Sequence, residues 1–181
     1  QQREPVDVVV PLQQALAIDP GHAGARFLLG RLQFEAGQYE AARQTLTQAK
    51  DSDVCPLRAP TAIATAVEEI ARRFNVNFLD AQQVFADRSD HGIVGERWLV
   101  DHIPPSVEGH QLLGEELAEL LFSTGMLVAT DADWQHRRRA LYQQHLDTLS
   151  EAYFHRGKQR LEGLLLWTQG RAKKLRSPAL E

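Results

Sequence analysis

The sequence predicts a mainly α-helical chain with one α/β segment in its middle, on three observations. The N-terminal part repeats itself at a spacing of 34 residues, Thr61 to Phe85 follow the order helix, strand, acid, helix, and the C-terminal stretch is basic with apolar residues at helical spacing. Each sets one part of the expected architecture.

At 181 residues and 43% apolar composition the chain can bury a core in one or two small domains. Its single cysteine, Cys55, excludes an intrachain disulfide and a thiolate-rich zinc cluster. No run reaches the ~18–20 apolar residues of a membrane-spanning helix, and the N-terminus lacks the basic-then-apolar order of a signal peptide. The chain begins at Gln1 rather than Met, which reads as a processed product or a fragment. Charge is unevenly spread: residues 1–134 carry a net −10 and residues 135–181 a net +6. Such a tail suits a solvated face, an acidic docking surface or an anionic lipid surface, and a nucleic-acid partner is not indicated.

Leu12, Gln14, Ala15 and Asp19 recur as Leu46, Gln48, Ala49 and Asp53. Between the copies, Gly30, Ala42 and Ala49 are small enough for two antiparallel helices to approach closely, with Phe27, Leu28, Tyr39 and Leu46 filling the seam and Gly37 marking the turn. Upstream, Val6 to Val10 is a β-branched run. Pro11 is expected to open a helix that ends near Ile18, with Pro20 closing it. In period and in Leu29-Gly30, Gly37, Tyr39, Ala42, Leu46 and Ala49, the segment resembles a tetratricopeptide repeat: half of one, then a whole one. That resemblance implies a protein partner for the repeat helices. At least ~3 repeats are normally needed for a stable stack, so this pair is expected to lean on something else.

From Thr61 to Phe74, Ile63, Ala66, Val67, Ile70, Ala71 and Phe74 share one helical face, and Asn75 ends the helix. Val76 to Leu79 reads as a strand ending at Asp80, an acid that suits either a helix cap or a functional group. Ser89 to Gly95 is a loop. Ser106 is placed to cap a helix with the stripe Leu112, Leu113, Leu117, Leu120 and Leu121, which leaves Asp101 and His102 on the loop before it.

Asp101, His102, Pro105, Gly109 and His110, in the run DHIPPSVEGH, resemble the acid loop of SGNH/GDSL-type hydrolases, in particular bacterial members with inserted tetratricopeptide repeats. Pro56 to Arg58, the VNFLD strand and the HGIVGERWLVD approach agree with that subgroup. The resemblance implies a fold class that is mainly α, with a tetratricopeptide-like hairpin and C-terminal helices, joined to the C-terminal segment of an α/β SGNH-type, flavodoxin-like domain. It divides the chain into a repeat region (1–54), the hydrolase-like segment (55–124) and a basic helical extension (125–181). It also implies an ester or acylated substrate, acted on only together with the part that bears the serine, and Asp101 as the catalytic acid. The base position holds Pro104, which has no titratable group. His102 reads either as a polar loop residue or as a candidate substitute base, and His110 as a helix-face histidine. Asp101, His102, Glu108 and His110 are metal-ligand types, but their spacing fixes no tetrahedron, so neither a metal nor a cofactor is expected.

In the tail, Trp134, Leu141, His145, Leu149 and Tyr153 predict one long helix. Gly157 is expected to break it before the apolar cluster Leu161, Leu164, Leu165 and Trp167, which then docks on the repeats or meets a partner or a membrane surface. Two functions follow from the sequence. One is the C-terminal portion of an SGNH/GDSL-like esterase or acyl hydrolase, inactive alone; the alternative is a tetratricopeptide-repeat interaction module with a degenerate hydrolase scaffold.

Overall fold

The computed structural model describes residues 6–56, 58–100, 104–128 and 133–168. It forms two compact units, Gln1–Met126 and Leu127–Glu181. Among the described residues every regular element is helical, and the only β pairing is an isolated bridge between Leu99 and Pro105.

The first unit opens with α1 (Val6–Ile18), α2 (Ala23–Glu35) and α3 (Tyr39–Asp51). α1 ends at Ile18 as expected but corrects its start, since it runs through the β-branched Val6 to Val10 and holds Pro11 inside rather than at its first position. β-branched residues lose only a few tenths of a kcal/mol each in a helix. Proline leaves the Asp7 carbonyl without a donor and crowds it with the ring, a cost of about 3 kcal/mol. Contact with α2 and the half-burial of Leu12, Ala15 and Leu16 outweigh both terms.

α2 and α3 form the tightest pair in the fold, as their small residues require. Ala42 is fully buried, Ala25 and Ala49 nearly so, and a Cβ on Gly30 would lie 2.7 Å from Leu46 Cγ. Gly37 turns the chain at φ +74°, a conformation that favours glycine. The expected seam is partly corrected here. Leu46 packs inside it, but Phe27 and Leu28 remain about half exposed, because helices this close leave little volume for larger side chains.

α4 (Thr61–Arg73) follows α3 after residues 52–60, and Asp51 ties the two helices together. Its Oδ1 accepts from the Thr61 backbone N–H at 2.8 Å and lies 3.8 Å from Lys50 Nζ. Desolvation, the largest single influence, pushes the Asp51 carboxyl up. Hydrogen bonds from the Thr61 backbone and hydroxyl and the Lys50 ammonium outweigh that and hold it below its ordinary 3.8. A carboxyl depressed on folding stabilises the fold above its unfolded value, and that stabilisation is lost as pH falls through the folded value. Asp51→Ala is therefore expected to lower stability by about 0.5 kcal/mol at pH 7, the size of a solvent-screened cap. Urea titrations should show the gap to the native chain closing as pH falls below 3.8.

Asn75 (φ +51°) ends α4 as expected, with Val76 N–H donating to the Ala71 carbonyl at 2.8 Å and Asn75 N–H to the Arg72 carbonyl at 3.3 Å. The small side of α4 is covered, with Ala71 buried and Ala64 half-buried, while Ile63, Val67, Ile70 and Phe74 are each about half exposed or more. Val76 to Leu79 does not form the expected strand. It runs without a ladder, so the flavodoxin-like sheet is absent among the described residues. Asp80 caps α5 (Ala81–Asp87) by accepting from Gln83 N–H at 3.0 Å, which gives that acid a structural role.

A 3-10 turn (Asp90–Gly92) and a loop lead to α6 (Val107–Ser123), capped by Ser106 as expected. Phe85, Trp98 and Leu112 form a second small core, lined by Val84, Val94, Leu99 and Leu113. Trp98 Nε1–H donates to the Arg88 carbonyl at 3.3 Å, and the Arg97 guanidinium lies over the Trp98 ring at 4.5 Å.

The second unit holds α7 (Trp134–Asp147) and α8 (Glu151–Thr168), two helices where one long helix was expected. Thr148 Oγ donates to the His145 carbonyl at 2.6 Å, and Ser150 Oγ accepts from Tyr153 N–H at 3.3 Å. Short hydroxyl side chains thus end one helix and start the next. Gly157 lies inside α8 and does not break it. Among the described residues no helix is long and apolar enough to cross a membrane.

Candidate functional site

Two places in the first unit carry functional geometry. One is a groove beside the repeat pair. Arg26 ties α2 to its surroundings: Nη1 donates to Gln48 Oε1 at 2.7 Å, Nε donates to the Pro20 carbonyl at 2.9 Å, and Nη2 reaches the same carbonyl. His22 Nδ1 caps α2 by accepting from Ala25 N–H at 3.1 Å. The 3-10 turn closes the other end. His91, at φ +56°, stacks on Tyr39 with ring centroids 3.3 Å apart and 6° between planes, and both rings meet Phe34 edge-on. The α2–α3 pair therefore leans on the 3-10 turn through His91.

The groove, about 550 Å³ in volume, is lined by α2 and α3, by α5 through Gln82 and Ala86, and by Gly92 to Val94. Phe27, Leu46 and Ile93 give it apolar surface, and Arg43, Lys50 and Arg58 outnumber the one acid in its lining, Asp53. Arg43 Nη2 is 2.7 Å from Glu40 Oε2. That bond, with one from Gln44, holds the Glu40 carboxyl below its ordinary range. The cleft is thus partly apolar, and two of its cations, Arg43 and Lys50, are paired with Glu40 and Asp51 at its edge.

The other place is the loop before α6. Val100 N–H donates to the Pro104 carbonyl at 2.9 Å and Ser106 N–H to the Trp98 carbonyl at 2.8 Å, so the loop is pinned at its base. Ser106 Oγ donates to the Arg97 carbonyl at 2.6 Å and accepts from Gly109 N–H at 3.0 Å. Gly109 is needed because a Cβ there would collide with the Trp98 carbonyl oxygen. Asp101 and His102 lie outside the described residues. Pro104 and His110 are exposed, and Glu108 pairs with Arg97 Nε at 3.1 Å, so Glu108 has a structural partner. Among the described residues no group of three His, Cys, Asp or Glu side chains is arranged to hold a metal.

Arg26, His22 and His91 did not stand out in the sequence. Their partners are Gln48, a backbone carbonyl, a helix N-terminus and a ring 52 positions away. The one local signal was His91-Gly92, a pair suited to a tight turn.

No curated protein and no solved structure matches the chain. One family model does: that of the tetratricopeptide repeat, over residues 2–54, which takes in α1, α2 and α3.

Proposed function

We propose that the chain is a protein-interaction module that holds a peptide segment of a partner in the groove beside α2 and α3. The half-exposed Phe27 carries the reading: it lines an open cleft within tetratricopeptide repeat sequence, and such repeats generally mediate protein–protein contact. A large apolar side chain lining a cleft is a usual anchor of a peptide interface. Selection of peptides from a random display library on the native chain tests this. Enriched peptides are expected to bind Phe27→Asp at least about tenfold more weakly, as loss of one buried anchor of ~1.4 kcal/mol or more implies. Equal binding to both chains would contradict the proposal.

The open stripe of α4 favours a second reading. In it, residues 55–124 are the C-terminal segment of an SGNH/GDSL-type α/β domain, flanked by the repeat region (1–54) and the extension (125–181). Its further α/β layers would cover the stripe. Asp101 is then the acid of the pinned loop, His102 the candidate substitute base, and Pro104 stands where the base belongs. A segment in that state does not turn over an ester by itself. Saturable hydrolysis of p-nitrophenyl acetate that Asp101→Ala abolishes would instead make the chain an enzyme.

A further inference from the structure

On α8, Tyr153, Phe154, Leu161 and Leu164 share one face, with Gly157 between them. Tyr153 is 53% exposed and Phe154 49%. Arg156 and Arg160 border that face on one side and Lys158 on the other, while Glu151, His155, Gln159 and Glu162 occupy the opposite face. Leu166 falls off the stripe. All three cations are exposed, and among the described residues none lies within ion-pair distance of a carboxylate.

Cations on both borders of an apolar face, with Glu151 and Glu162 on the polar side next to Lys158, suit a helix lying in the plane of an anionic bilayer. The rings and leucines enter the acyl boundary, the long basic stems reach lipid phosphates, and the acids stay in water. A nucleic acid would call for a continuous cationic stripe, not one divided by apolar side chains. We infer that α8 is an interfacial helix that places the chain on anionic lipid surfaces. This activity is independent of the groove.

Vesicle co-sedimentation of the full chain tests it, with phosphatidylcholine alone and with an equal mixture of phosphatidylcholine and phosphatidylglycerol. The chain is expected to partition onto the mixed vesicles, and added salt to release it. The triple variant R156A/K158A/R160A should partition on the order of 100-fold more weakly, at about fivefold per basic residue near such a surface. Phe154→Asp should also abolish binding; the side chain is half exposed, so the variant keeps its helix, as circular dichroism would verify. Equal partition onto both vesicle types, no partition onto either, or an unaffected triple variant would overturn the inference. So would binding of a single-stranded RNA oligonucleotide, without vesicle binding, that the triple variant loses and Phe154→Asp retains.

Discussion

Gly109→Val is expected to destabilise the first unit by about 3 kcal/mol, near the upper end for inserting side-chain volume into a packed site. A Cβ at this position meets the Trp98 carbonyl oxygen, and Pro105 Cβ stands 3.0 Å away on the same side. Neither neighbour is the far end of a flexible side chain, so relief requires the backbone of the pinned loop to move. That movement would break the Ser106 N–H to Trp98 carbonyl bond and disturb Trp98, which is 6% exposed in the small core with Phe85 and Leu112. Higher helix propensity returns only a few tenths of a kcal/mol. Urea unfolding followed by tryptophan fluorescence measures the loss, and a change below about 1 kcal/mol would mean that loop and helix are not pressed together.

Gly30→Val is expected to cost about 2–3 kcal/mol, since its Cβ would lie 2.7 Å from Leu46 Cγ, 2.9 Å from Cδ2 and 3.3 Å from the Leu46 backbone nitrogen. Here the obstruction is chiefly a side chain, so it differs from Gly109 in being partly curable. Combined with Leu46→Ala, the valine should be less damaging than the two single losses together, a coupling of at least about 0.5 kcal/mol between residues in contact. Additive losses would show that α2 and α3 are not as close as 2.7 Å implies.

The close approach of α2 and α3 was legible because it demands small residues at the facing positions, and Gly30, Ala42 and Ala49 supply them. The same holds for Ser106, Asp80 and Asn75, whose cap or termination roles depend on a few neighbouring residues. Pro11 misled because the rule against proline in a helix weighs one missing donor and not the packing of Leu12 and Leu16 on the other side of the turn. Val76 to Leu79 misled for the opposite reason: a strand exists only with a partner, and composition does not supply one. The stacking of His91 on Tyr39 was not readable at all. It depends on where α5 and the 3-10 turn fall in space, which no local pattern records.

The groove is the centre of the account, and mapping a selected peptide by amide chemical shifts tests it most directly. Titration of the isotope-labelled chain should move the amides of Phe27, Leu46, Lys50 and Ile93, which share that groove, and leave those of α4 and α8 unmoved. Shifts confined to Ile63, Val67, Ile70 and Phe74 would contradict it and place recognition on the open face of α4 instead.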